Sequence, residues 1–389
     1  MKKLANVLAI ACCITALLSS CSNVSESKTA QLVGAVAGYD QYINLPGSIA
    51  LMSEGYYFRN EEFLFYLDSS LQYPAEIVCS KAICNHTDGD QCSALIPTGT
   101  MFAWNDRLYY IQHPDRNSSF VLFEMDSDGT NRRRVAELNI DFGSGGTWYT
   151  RSACGYIAFC YTYSSAGRST DITTLYLISM EDPGADPIVL YSNEEVDSPA
   201  GAQWNEVPRP FPMYITEGNV FYLVEQHTQA GFSTKLYCYQ TSTGETNLLL
   251  ENKVTGADDL ALVGDVLYWF DADGALYGID LASGNIEQKS VIPLKEEQYG
   301  ACDDSWLYIF DGIVDALEAA EVVIYDYQGL EIQRLSCKEL GTTLSFAFST
   351  PEKVFFRVSG LIRDASILPI CYLEKDAIEQ GTAEFILID

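Results

Sequence analysis

With 389 residues, 48% of them apolar, the chain is long enough to bury a large core, and its 25 Tyr and 18 Phe weight it towards strands. Fifty-three acidic against 23 basic residues leave a net charge of −30, a surface that repels phosphate backbones and excludes nucleic acid as a partner. The acidic residues are spread through the chain, as on a solvated surface.

The first residues read as a targeting segment. Lys2-Lys3 supply a positive start, and Leu4 to Leu18 is an apolar run too short to span a bilayer comfortably. Leu18-Ser19-Ser20-Cys21 follows, which resembles the bacterial lipobox. The resemblance implies a signal peptide over residues 1–20 and lipid on the Cys21 thiol. The mature protein would then be held on the cell membrane, facing the outside of the cytoplasm. Two acyl chains on one cysteine anchor stably where a single chain is marginal. An ordinary secretory peptide, with Cys21 incidental, is the alternative. Residues 21–39 form a polar tether, and residues 40–389 carry the fold as one domain.

That domain repeats itself. Gly55–Phe58, Phe63–Leu67 and Ala75–Cys79 make a first unit of short aromatic strands separated by turns. Asp106–Ile111 and Phe120–Val135 make a second, and Gly155–Phe159, Thr174–Ile178 and Pro187–Leu190 a third. The fourth holds Gly218–Val224, Lys235–Tyr239 and Leu248–Leu250; the fifth holds Val266–Phe270 and Leu276–Leu281. Ser305–Phe310, Val322–Asp326 and Glu331–Leu335 form the sixth, and Lys353–Val358, Leu368–Leu373 and Glu384–Ile388 the seventh. Units of about 40–60 residues are the period of propeller blades. The sequence therefore predicts an all-β fold, a seven-bladed β-propeller of four-stranded antiparallel blades. Glu384–Ile388 is expected to pair with N-terminal strands and close the ring.

Tyr268-Trp-Phe-Asp271 followed by Leu276–Leu281 resembles the Tyr-Trp-Thr-Asp propeller repeat of low-density lipoprotein receptor-related proteins. Leu122–Arg133 is similar to that repeat and to the repeats of TolB-type propellers. The whole resembles bacterial lipoproteins that carry such a propeller, a family of uncharacterised function. Phe270 stands where the repeat usually has Thr, and most units lack the Trp, so the receptors' ligands do not transfer.

One segment breaks the repeat. Cys79, Cys84, His86 and Cys92 fall within fourteen residues, spaced Cys-x4-Cys-x-His-x5-Cys. Three thiolates and an imidazole are the ligand set of a closed structural zinc site. Two other readings stand beside it. A Cys79–Cys92 disulfide would close a short loop, worth about 3 kcal/mol in the chain-entropy view, or all three thiols are free. Cys160, Cys238 and Cys371 read as small core residues within strands. Cys154 and Cys160 lie close enough in sequence to be a second possible pair.

No Gly-x-Ser-x-Gly elbow or His-Glu-x-x-His occurs. Asp126-Ser-Asp128-Gly129 resembles the start of a calcium loop but lacks the closing Glu, so a turn is the better reading. His113 and His227 each follow an aromatic strand and are expected at a rim, open to solvent or to the channel. Trp148, Tyr149, Trp204 and Phe211 read as residues of long inter-blade segments, able to stack on a sugar, to grip a peptide or to pack under the loops. The leading expectation is a non-enzymatic binding or scaffolding module for a protein, peptide or glycan. A carbohydrate-active hydrolase or lyase, and a partner subunit of a cell-envelope complex, are the alternatives.

Overall fold

A strand that buries both faces has no use for strict polar alternation. In Val266–Phe270, Leu267 and Trp269 pack against the preceding sheet, while Phe270 packs against the following one. The same division holds throughout the computed structural model. It describes residues 45–388 except 47–48, 61, 82, 87–91, 97–98, 113–118, 141–143, 165–170, 195–206, 229–230, 252–260, 271–273, 293, 295–297, 312–319, 341–342 and 360–369.

Seven antiparallel sheets follow one another along the chain as the blades of a β-propeller, each with its strands in sequence order. Their first strands, nearest the axis, are Ile49–Met52, Gly99–Trp104, Ser144–Ala153, Arg209–Ile215, Ala261–Val263, Gln298–Cys302 and Thr343–Ser349. Every seam between neighbouring blades has its own apolar cluster. Between blades one and two it includes Tyr57, Leu64, Met101 and Tyr110; between blades two and three, Phe102, Phe120, Phe159 and Tyr161. Cys160, Cys238 and Cys371 are fully buried in such clusters, as their strand positions suggested.

Turns between the third and fourth strands recur as Asp-x-x-Gly. The Gly129 N–H donates to the Asp126 carbonyl at 2.9 Å, and the Gly329 N–H donates to that of Asp326 at 2.9 Å. The carboxylate of Asp326 also accepts from the N–H groups of Gln328 and Leu330. These local bonds make the repeat readable as turn chemistry.

The ring closes differently from the expectation. Ile386–Leu387 pairs with Ile370–Glu374, so blade seven is built wholly from C-terminal residues. Closure rests on packing across the seam: Tyr56 of blade one lies 5.1 Å from Phe355, which stacks on Phe348 at 4.4 Å, and Ile388 is buried beside them. The N-terminal strand Leu45–Pro46 pairs instead with Ser152 and Arg151 on the free edge of blade three's first strand. It also touches the first strand of blade seven. Blades three and seven lie across the ring, so this strand stands in the channel and gives blade three a fifth strand.

A buried ion pair ties blade six to blade seven. Lys375, opening the short helix Lys375–Glu379, places Nζ 3.0 Å from Asp303 Oδ2, and both side chains are almost fully buried. Asp303 further accepts from the Trp306 N–H and the Tyr308 hydroxyl.

Candidate metal centre

The four residues singled out by spacing come together because the chain leaves and rejoins the same strand edge. At the end of blade one the Val78 N–H donates to the Leu64 carbonyl at 2.9 Å. After the excursion the Leu64 N–H donates to Ala94, and the Ile96 N–H donates to Glu62, each at 2.8 Å. Cys79 and Cys92 therefore stand at the two ends of one loop, drawn together by backbone pairing on Phe63–Asp68. Their Sγ atoms are 3.7 Å apart, and no disulfide joins the described cysteines.

His86 adopts a left-handed backbone, φ 54°, which turns its ring inward. Its Nδ1 lies 3.2 Å from Cys92 Sγ, and its ring meets Phe63 edge-on at 6.2 Å. The donor atoms of Cys79, Cys84, His86 and Cys92 all lie within 4.8 Å of one another, a cluster able to hold a metal ion. Backbone N–H groups point at the sulfurs: His86 donates to Cys84 Sγ and Ala94 to Cys92 Sγ, each at 3.4 Å. Burial opposes ionisation of Cys79, but the Lys81 N–H and the neighbouring thiols and Ser93 hydroxyl outweigh it and lower its pKa. Burial, together with the adjoining thiols, pushes Cys92 up to about 11. Cys79 thus loses its proton more readily than Cys92 beside it.

The loop is clamped by blade two. Arg132 donates to the Ser93 carbonyl through Nη2, to Leu95 through Nη1 at 2.6 Å and to Gly129 through Nε at 3.1 Å. Its guanidinium lies over the Tyr110 ring at 5.8 Å. Gly129, at φ +75°, sits so close that a Cβ there would fall 2.3 Å from the Ser93 oxygen. The sequence marks Gly129 as a turn residue but gives Arg132 no role of its own. A signal existed: Arg132-Arg133-Arg134 is a basic run in an acidic chain. Arg133 pairs with the buried Glu124 at 2.9 Å, and Arg134 pairs with Glu137.

Of the other expected contact residues, Trp148, Tyr149, Phe211 and His227 lie on strands. Trp148 and Tyr149 lie on the first strand of blade three and Phe211 on that of blade four, not in inter-blade loops. Trp148 packs edge-on to Phe120 at 5.4 Å, within the seam. Tyr149 is 47% exposed and lies 5.8 Å from Phe211, while Arg151 Nε donates to the Pro212 carbonyl. His227 lies one residue from the end of the second strand of blade four, opposite Phe232. Cys21, His113 and Trp204 lie outside the described residues.

No family model and no curated protein matches this chain. Among solved structures, a puromycin hydrolase aligns over 92% of this chain and 56% of its own, at 14% identity and a TM-score of 0.53. BamB from Moraxella catarrhalis aligns over 84% and 83%, at 12% identity and a TM-score of 0.40. A nidogen/laminin complex aligns over 72% and 91%, at 11% identity and a TM-score of 0.34. The chain spans little more than half of the puromycin hydrolase, and the likeness is one of fold.

Proposed function

We propose that this chain is a membrane-anchored, extracytoplasmic binding module, lipidated at Cys21, whose propeller is clipped by one structural zinc. The reading rests on the closed donor set. Zinc–sulfur bonds of about 2.3 Å in a tetrahedron set sulfurs about 3.8 Å apart, and Cys79 and Cys92 are separated by 3.7 Å. Protein atoms supply all four corners, so the metal would staple the loop and leave no open position for a substrate. Binding would then fall to the rigid scaffold. Tyr149 and Phe211, side by side on the strands nearest the axis, would stack on a sugar ring or grip a peptide. Exposed aliphatic residues such as Leu248, Val291 and Leu387 sit on the outer strands of different blades, so they add no support to the envelope-subunit reading.

Metal content and thiol titration of the mature domain, purified without reductant or added metal, test the clip. One zinc per chain, lost in Cys92→Ser, supports it; two fewer free thiols with no zinc makes the loop a disulfide staple instead. Glycan and peptide arrays probed with the wild type and Tyr149→Ala test the binding surface. Retention that Tyr149→Ala abolishes is the expected result. Turnover of a retained glycan would replace the binding module with an enzyme.

A further inference from the structure

At the hairpin-turn end of the first strands of blades two and three lies a cavity of about 390 Å³. It shares no lining residue with the cysteine loop and contains neither Tyr149 nor Phe211. Trp104 and Tyr156 form part of its wall, Asp106 and Glu217 are the acidic residues of its lining, and none of the described lining residues is basic. Both carboxylates come from turns joining first and second strands, one in blade two and one in blade four, so the ring itself gathers them.

The backbone at this site is unusual. Asn105 and Asp106 have φ 48° and 57°, and Cys154 has φ 51°. A two-residue hairpin turn with both φ values positive suits Asn, Asp and Gly. Asn105-Asp106 obeys that rule, and Cys154 before Gly155 does not. Left-handed backbone at a non-glycine residue is a stored cost, and such costs gather at ligand sites. The Asp106 carboxylate accepts from the Ser53 N–H at 3.1 Å and the Ser53 hydroxyl at 2.8 Å. Those two bonds hold its pKa below the ordinary carboxylate value, so a charged carboxylate is fixed at the cavity's rim at neutral pH.

Aromatic faces and fixed negative charge are the two elements that recognise an organic cation, the ring quadrupole attracting the charge from one side and the carboxylate from the other. The net charge of −30 raises the local concentration of any cation around the ring. We propose that this cavity binds a small organic cation, an ammonium or guanidinium group, between Trp104, Tyr156, Asp106 and Glu217. The proposal does not depend on lipidation at Cys21 or on zinc.

Calorimetric titration of the mature protein with choline and, separately, with Nα-acetylarginine amide tests it. The expected result is saturable binding of at least one, weakened by salt, and weakened roughly tenfold or more in Asp106→Asn/Glu217→Gln. Asn tolerates the left-handed turn at position 106 and still accepts from Ser53, so this variant keeps the fold, which circular dichroism verifies. The tighter of the two ligands identifies the cation as a quaternary ammonium or a guanidinium. Three results overturn the proposal: no binding of either up to about 10 mM, equal binding of the uncharged analogues 3,3-dimethylbutanol or acetylcitrulline amide, or undiminished affinity in the double variant.

Discussion

Arg132 donates from Nη1 to the carbonyl oxygen of Leu95 at 2.6 Å, across the seam between blade two and blade one. A second bond, from Nη2 to Ser93, makes one guanidinium the partner of two carbonyls in the segment that carries Cys92. Arg132→Ala strands both oxygens, at a cost of about 1–3 kcal/mol. Expected outcomes are a lower urea midpoint and faster release of bound metal to a chelator. Arg132→Lys restores part of the stability, because one ammonium cannot reproduce the fork.

Gly129 and Gly244 share a left-handed backbone, φ +75° and +73°, but differ in what surrounds them. A Cβ at Gly129 collides with Ser93, whereas at Gly244 its nearest neighbour is the Tyr239 hydroxyl at 3.9 Å. Gly244→Ala is expected to cost only the backbone term, about 1–2 kcal/mol. Gly129→Ala adds overpacking of about 1–3 kcal/mol. Equal losses in the two variants, measured by denaturant unfolding, would show that the close approach to Ser93 carries no weight.

Lys375 and Asp303 form a pair with side-chain exposures of 5% and 2%. Removing the cation by Lys375→Ala leaves a buried charge uncompensated and is expected to cost about 3–5 kcal/mol. The double variant Asp303→Asn/Lys375→Met recovers a large share of that loss. A double variant no more stable than Lys375→Ala would mean that Asp304, which also pairs with Lys375, or the remaining bonds of Asp303 hold the seam.

Alkali is expected to destabilise the ring. Burial pushes the thiols of Cys160, Cys238 and Cys371 up to about 12. In the unfolded chain these groups ionise near pH 9, so between about 9 and 12 the folded state holds more protons and stability falls as pH rises. Each thiol contributes about 1.4 kcal/mol per pH unit to that slope. Urea midpoints measured from pH 8 to pH 10.5 should fall less steeply in Cys238→Ala than in the wild type.

The propeller was legible because two kinds of residue mark each blade locally. Aromatic second strands such as Val266–Phe270 bury both faces, and Asp-x-x-Gly turns such as Asp326–Gly329 carry their own hydrogen bonds. The first strands were harder to read. Ser144–Ala153 holds Gly, Thr, Arg and Ser, because its burial comes from the ring and not from its own pattern. That is why Trp148 and Tyr149 looked like loop residues. The grouping of Cys79, Cys84, His86 and Cys92 followed from spacing alone, whereas the clamp by Arg132 needs a contact 37 residues away in sequence. Nothing in Leu45-Pro46 signals that it pairs with Ser152 and Arg151; the pairing exists only once the ring brings blade three opposite it.

Pairing of Leu45–Pro46 with blade three also sets how the molecule meets mechanical load. A pull on the N-terminus falls first on two residue pairs at the axis. It passes next to Ile49–Met52, whose ladder partner is Gly55–Asn60. The seam with blade seven, held by side-chain packing without strand exchange, parts before any complete sheet is unzipped. Under tension the ring is therefore expected to yield at blade one before blades two to seven.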